Sequence, residues 1–376
     1  MKKLFFIAAI ASAAFVSCTK NEVVSFPEQE ITFAAPVVAP ATKSTNEVWN
    51  NYPQDTKYDF AVWARYYEDG AGANTGTYTT WDAGKEYMKE VVVSYGDATW
   101  KPGMTYYWPK NGALTFIAYA PATKASYAEA SGTGITFTNY DVTTTVAEQV
   151  DLLFSERAYN KKAVDDDTVG GSYETQPGAD KLYDPYKGVH LAFNHALSSV
   201  AFTIRTAEDY SASTTITLNK IELLTVGSTA SFDQKLGDSN NAATTAAAWT
   251  TPTATANYIV DNNDFLNVEL STTPYWTATK SATAPTATDG LRTTDFILLP
   301  QDISSVKLRV TYTLDNNDTG SVALTQVIEK DLAVAGVDAW EMGKRYIYNI
   351  SLGLDTIYFE PYVAPWEDVT IAVPEI

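Results

Sequence analysis

The chain has 376 residues, enough for two domains of ordinary size, and its 45 acidic against 26 basic side chains give a formal charge of −19. That balance excludes the basic patch of a nucleic-acid binder. Two histidines and a single cysteine exclude an internal disulfide, most nucleophile–base pairs and most transition-metal sites, so neither enzyme activity nor a cofactor is expected.

In chain order, the first element is a secretory signal over residues 1–17. Met1-Lys2-Lys3 is its basic start, Leu4–Val16 its apolar run, and Ser17 the small residue before the cut. The sole cysteine, Cys18, stands directly after that cut, which makes it the expected site of diacylglycerol attachment. Phe15-Val16-Ser17-Cys18 resembles a bacterial lipobox, with Phe15 bulkier than the usual Leu. The alternative is an ordinary signal that ends near a free thiol. No later apolar stretch is long enough for a membrane helix.

Glu30-Ile31-Thr32-Phe33-Ala34 follows as a first strand, and Pro36, Pro40 and Ala41-Thr42-Lys43-Ser44 then form an extended tether. Lys43 is the one basic residue between Lys20 and Lys57, so a trypsin-like protease would find an accessible bond between Lys43 and Ser44. The bland alternative is a plain linker. Beyond it, period-two alternation predicts strands over Tyr58–Tyr67, Glu90–Tyr95, Leu114–Tyr119, Gly134–Thr138, Val200–Arg205, Thr215–Thr225, Phe296–Leu299, Val306–Leu314 and Tyr346–Leu352. In Tyr58–Tyr67, Phe60, Val62 and Ala64 share one face and Ala61, Trp63 and Arg65 the other. Aromatic residues at 13%, with abundant Thr and Val, suit a pleated and half-buried surface. Helical periodicity is weak; Val146–Phe154 and Val334–Met342 could each hold a turn or two. Glu68–Thr80, Asn160–Lys187, Ser239–Ala256 and Ser271–Thr288 are expected as long loops. The loop before Val189 makes a domain boundary, with one β-sandwich on each side.

The polar clusters offer weak grounds for chemistry. His190 and His195 lie five residues apart on one strand, point to opposite faces and so cannot share a metal; a core or interface histidine is expected instead. Asp315-Asn316-Asn317-Asp318-Thr319-Gly320 starts like a calcium loop, but the position that needs a bidentate Glu is Gln326. It is expected as a hairpin turn, and Asp261–Asp264 as a solvated loop. No nucleophile elbow, phosphate loop or dinucleotide fingerprint is present.

The tail Asp355–Ile376 has a different character. Ile357, Phe359, Val363, Val369, Ile371 and Val373 share odd parity, so an extended chain projects them to one side. Pro361, Pro365 and Pro374 make it a poor central strand. Two outcomes are open: an edge strand of its own domain, or an insert for a groove on another molecule.

Taken in order, these segments resemble the fimbrillin family, the type V pilins and related surface lipoproteins. The likeness is carried by the signal ending at Cys18, Ile31–Phe33 ahead of Thr42-Lys43-Ser44, Tyr107-Trp108-Pro109 with Leu114–Pro121, and Val150–Leu153. It continues in Val189–Val200 (VHLAFNHALSSV), Leu298-Leu299-Pro300 and Trp340–Ile350 (WEMGKRYIYNI). The resemblance implies an all-β fold of two tandem transthyretin-like β-sandwich domains with long loops and few short helices. It also implies residues 18–43 as a lipidated propeptide, 44–188 and 189–354 as the two sandwiches, and 355–376 as a donor-strand segment. In such a subunit a trypsin-like surface protease cuts at Lys43, removing the strand of Ile31 and Phe33. The tail of a neighbouring copy, with Ile357, Phe359, Val363, Val369, Ile371 and Val373, fills the gap. The partners implied are further copies of the chain, other fimbrial subunits, a host glycan or protein receptor, and the outer membrane through the lipid on the precursor. This chain offers Lys where the family's best-known cleavage follows Arg. An alternative reading is a glycan-binding or anchor-type surface lipoprotein that does not polymerise, with Trp81, Trp100, Trp249 and Tyr275-Trp276 as candidate sugar platforms.

Overall fold

In a computed structural model of the chain, the described residues are 30–34, 36–38, 59–68, 81–97, 99–109, 112–123, 128–131, 134–161, 188–235, 247–260, 267–276, 295–318, 320–333, 337–354 and 357–365. Strands dominate them, and each of the nine predicted from alternation is present, most extended by a few residues. The reason is local. Runs such as Ala113–Ala120 (ALTFIAYA) place β-branched and aromatic side chains on both sides of a pleat that other layers cover.

The first sheet runs in the order Val37–Val38, Ala192–His195, Leu153–Ser155, Ala113–Ala120, Phe60–Tyr67, Lys85–Gly96 and Thr99–Pro102. The second joins Tyr275–Trp276, Ser198–Thr206, Lys344–Leu352 and Ile357–Pro365. The third runs Leu324–Asp331, Lys307–Asn316, Thr214–Asp233, Gly134–Asp141 and Ala128–Ser131. Gln301–Asp302 pairs with Ala339–Trp340. The architecture is therefore all-β and multi-sheet.

Strands that precede residue 188 and strands that follow it are cross-stitched. Ala192–His195, just past residue 188, pairs with Leu153–Ser155 in the first sheet. Gly134–Asp141 pairs instead with the far end of Thr214–Asp233, Phe232 facing Phe137. That 20-residue strand is the spine of the third sheet, taking Lys307–Asn316 along its start and Gly134–Asp141 along its end. Buried Gln234 fixes the crossing: its side chain accepts from the Ile135 amide at 2.9 Å and donates to the Ser155 carbonyl at 2.6 Å.

Two cores result. One lies between the layers, running from Trp63 and Tyr119 through Phe137, Phe154 and Phe232 to Phe202, Tyr312 and Tyr348. The other sits on the opposite face of the first sheet, around Phe60, Val62, Phe116, Leu153 and Phe193. Alternation along Phe60–Tyr67 sends Phe60, Val62 and Ala64 to this second core and Ala61 and Trp63 to the first, as expected from parity.

Some expectations need correction. The loop expected over Ser239–Ala256 contains strand Ala248–Trp249 and the start of Ala254–Val260. Both pair with the long spine strand, whose length offers an edge that Thr-rich sequence fills well. Val146–Glu148 is a 3₁₀ turn, as anticipated near there, but Ala339–Trp340 within Val334–Met342 is strand. The Asp315–Gly320 stretch connects the antiparallel strands Lys307–Asn316 and Leu324–Asp331, as a hairpin should. Trp81 and Trp100 are each 1% exposed, so neither offers a ring face to a sugar. Trp249 is half-buried, its indole N–H donating to the Ala196 carbonyl. Asp261–Asp264 and most of the other expected loops lie outside the described residues.

Candidate functional site

The second core is completed by a short piece of chain that belongs to no regular strand. Ile31 and Phe33 are each 1% exposed and alternate with Glu30, which is exposed, and Thr32, which is half-buried. The Phe33 ring meets Phe60 edge-on at 5.6 Å and Phe116 at 5.8 Å. This alternation is what the sequence Glu-Ile-Thr-Phe dictates when only one side of a segment faces a core.

The segment is held along both flanks. On one side the Ile31 amide donates to the Tyr106 carbonyl at 2.7 Å and the Phe33 amide to the Trp100 carbonyl at 3.0 Å. On the other, the Ala34 amide donates to the Val189 carbonyl at 3.0 Å, and the Val189 amide returns a bond to the Thr32 carbonyl at 2.8 Å. It runs antiparallel to the Trp100–Tyr107 side and parallel to Val189. Residues 30–34 thus lie between two ends of the first sheet, next to Thr99–Pro102 on one side and the lead into Ala192–His195 on the other. Val37–Val38 continues the parallel pairing, onto Ala192 and Phe193.

Gly188 explains how the backbones come so close. Its φ is +99°, and a Cβ there would stand 2.5 Å from the Phe33 carbonyl carbon and 2.8 Å from its Cα. Only glycine fits both the conformation and the space. Sequence reasoning missed Gly188, Trp100 and Tyr106 as parts of this site. Gly188, at the edge of the VHLAFNHALSSV block, was the one signal available; the other two act through their carbonyls, which no side chain advertises.

The other predicted residues are distributed as follows. Cys18, Lys43, Ser44, Val369, Ile371 and Val373 lie outside the described residues. Ile357, Phe359 and Val363 belong to Ile357–Pro365, which pairs antiparallel with Lys344–Leu352 along its whole length, Leu352 facing Ile357 and Lys344 facing Pro365. In this single chain the tail strand is an edge strand of its own sheet.

His195 is buried and meets Asp151, Nδ1 to Oδ2 at 2.5 Å; His190 is half-buried. The pair ties the end of Ala192–His195 to the residues that lead into Leu153–Ser155. Burial pushes the Asp151 carboxyl above the usual carboxylate range, and the adjacent His195 pulls the other way. A carboxyl that holds its proton more tightly folded than unfolded costs stability as pH rises from the unfolded value, about 3.9, through the folded one. Asp151→Asn removes that slope and keeps an acceptor for the imidazole. Thermal melts from about pH 4 to 7 should show the variant gaining on the wild type as pH rises; parallel curves would refute the assignment. Among the described residues no group of three or more His, Cys, Asp or Glu side chains is placed to hold a metal. No helix of the described residues is long and apolar enough to cross a membrane.

Comparison with known proteins places this architecture. The sequence model of the fimbrillin-like family matches residues 42–366. The chain belongs to the fimbrillin-like family. A crystal structure of a fimbrial protein from Bacteroides vulgatus shares the fold with a TM-score of 0.54 at 17% identity, over 89% of this chain and 99% of that one. A candidate cell adhesion protein from Bacteroides uniformis (TM-score 0.47, 13% identity) covers 90% of this chain and 99% of its own. The C-terminally truncated tip fimbrial protein Mfa3 from Porphyromonas gingivalis (TM-score 0.37, 12% identity) covers 83% and 95%. No curated protein matches the sequence. As a fimbrillin-like protein the chain is a structural cell-surface protein, not an enzyme.

Proposed function

We propose that the chain is a subunit of a cell-surface fimbria that polymerises by protease-triggered strand exchange and supports adhesion. One observation carries this reading: Ile31 and Phe33 complete a core yet belong to a piece of chain that a single cut at Lys43 would free. Loss of the segment uncovers the Phe60 and Phe116 rings and leaves the Trp100, Tyr106 and Val189 backbone groups unpaired. Each large apolar side chain returned to such a groove contributes about 1.5–3 kcal/mol, and an added strand restores the hydrogen bonds wherever it presents a backbone N–H rather than a proline. Donation from the tail of the next copy is head-to-tail, a contact that extends rather than closes.

In this scheme the precursor is exported, acylated at Cys18 and tethered to the outer membrane. A trypsin-like protease cleaves between Lys43 and Ser44, and residues 355–376 act as donor. The two halves, 44–188 and 189–354, are transthyretin-like sandwiches stitched together by the strands that cross between them. Receptors would be host glycans or proteins.

A second reading is an anchor-type lipoprotein that never polymerises. It is favoured by the pairing of Ile357–Pro365 with its own sheet. The two part on one experiment. Trypsin treatment of the purified precursor should give Ser44 as the new N-terminus and a ladder of SDS-resistant multimers. Lys43→Gln should leave the protein monomeric under the same treatment. A correctly clipped chain that stays monomeric would decide for the anchor.

A further inference from the structure

The segment that fills the groove and the strand proposed to replace it carry the same side-chain pattern. Residues 31–37 read Ile-Thr-Phe-Ala-Ala-Pro-Val, and residues 357–363 read Ile-Tyr-Phe-Glu-Pro-Tyr-Val. Without a gap, Ile31, Phe33 and Val37 align with Ile357, Phe359 and Val363. We infer that strand exchange is set in one register: Ile357 and Phe359 of one copy take the places of Ile31 and Phe33 in the next, running in the same direction.

This inference rests on the exchange reading and adds its register. The groove imposes two demands. The first comes from the backbone, since the resident segment donates N–H groups at Ile31, Phe33 and Ala34. Their counterparts Ile357, Phe359 and Glu360 all carry an N–H. Registers that pair Phe359 with Pro361, or Val363 with Pro365, put proline where the Trp100 carbonyl needs a donor. A register that starts at Pro361 fails at the Tyr106 carbonyl for the same reason. The second demand is shape. The Phe33 position is lined by the edge-on rings of Phe60 and Phe116, a setting that rewards another aromatic ring. The remaining alternatives, Val369 with Ile371 or Ile371 with Val373, are purely aliphatic. Among the registers that turn the tail's odd-numbered apolar face to the groove, only Ile357-x-Phe359 meets both demands.

Direction follows too. The resident segment is parallel to Val189 and antiparallel to the Trp100–Tyr107 side. Because the pattern repeats in the same N-to-C order, the donor must enter with that polarity. Ile357 follows Leu352, the end of its own strand, by only a few residues. The two copies would therefore be joined close to the sheet the donor leaves.

The test uses protein clipped after Lys43 and labelled synthetic peptides. A peptide of residues 355–364 should bind and be displaced by a peptide of residues 29–38. Phe359→Ala in the peptide should weaken binding at least about tenfold. A peptide of residues 367–376 should not compete. Should the 367–376 peptide bind instead, the register is wrong while exchange stands. Should neither bind, and tail-deleted protein still polymerise, exchange itself falls. The full chain provides a second readout that needs no isolated clipped monomer. Glu30 bridges Tyr107, and Thr356 takes the Glu30 position in the proposed register. A mixture of the single variants Tyr107→Cys and Thr356→Cys should form oxidised dimers on assembly. A Tyr107→Cys with Thr370→Cys mixture should not, and the opposite outcome overturns the register.

Discussion

Replacing Phe33 by alanine in protein that cannot be clipped, in a Lys43→Gln background, is expected to cost about 3–5 kcal/mol of stability. The ring is almost wholly buried and packs against Phe60 and Phe116 on a sheet face that the rest of the segment cannot cover. Its removal leaves a void between aromatic rings that collapses poorly, because Phe60 is paired with Val93, and Phe116 with Ala64 and Ala158, within the sheet. Equilibrium denaturation with urea measures the loss, and a change below about 1 kcal/mol would mean that the segment only rests on the surface. The same substitution provides its own control. With Lys43 restored, trypsin added and the cut segment separated from the protein, Phe33→Ala and wild type become the same molecule, so their melting curves should converge.

An effect of similar size is expected in a different sheet, at Arg345→Ala. Arg345 and Asp295 are both buried, with Nε to Oδ2 at 2.7 Å and Nη2 to Oδ1 at 3.2 Å, and Ser199 donates its hydroxyl to the same carboxylate at 2.7 Å. The cluster joins Lys344–Leu352, Ser198–Thr206 and the start of Phe296–Leu298. Truncating the arginine strands a buried carboxylate, which costs about 3–5 kcal/mol. The charge, not the lost contact, is responsible. Asp295→Leu combined with Arg345→Met should therefore recover most of the loss. A double variant as unstable as Arg345→Ala would show that the geometry of the fork matters more than its charge.

How much of this was legible beforehand differs by residue type. Strands such as Phe60–Tyr67 and Lys307–Asn316 announced themselves because alternation is a local property of a pleated chain. Ile31 and Phe33 were visible for the same reason, as a short alternating segment ahead of a tether. What alternation cannot convey is which edges meet. Nothing in Gly134–Asp141 indicates that its partner is Thr214–Asp233, and the Thr/Ala-rich stretch near 248–256 looked like loop because its strands depend on a neighbour. The groove walls were hidden for another reason. Trp100 and Tyr106 present carbonyls there, and carbonyls are common to every residue. Trp81 and Trp100 drew notice as sugar platforms because aromatic content is visible in a sequence, whereas burial is a fact of packing.

The pairing of strands from before and after residue 188 bears on how the protein is made. Ile135 and Gln234 are hydrogen-bonded across a sequence separation of 99 residues. While a ribosome works from the N-terminus, Ile135, Phe137 and Tyr140 exist long before the surface that will cover them. Contacts of such long range form slowly, and exposed apolar strands invite aggregation while they wait. Maturation is therefore a whole-chain event. A nascent or truncated product ending near residue 190 would be a substrate for chaperones and quality-control proteases rather than a half-working subunit.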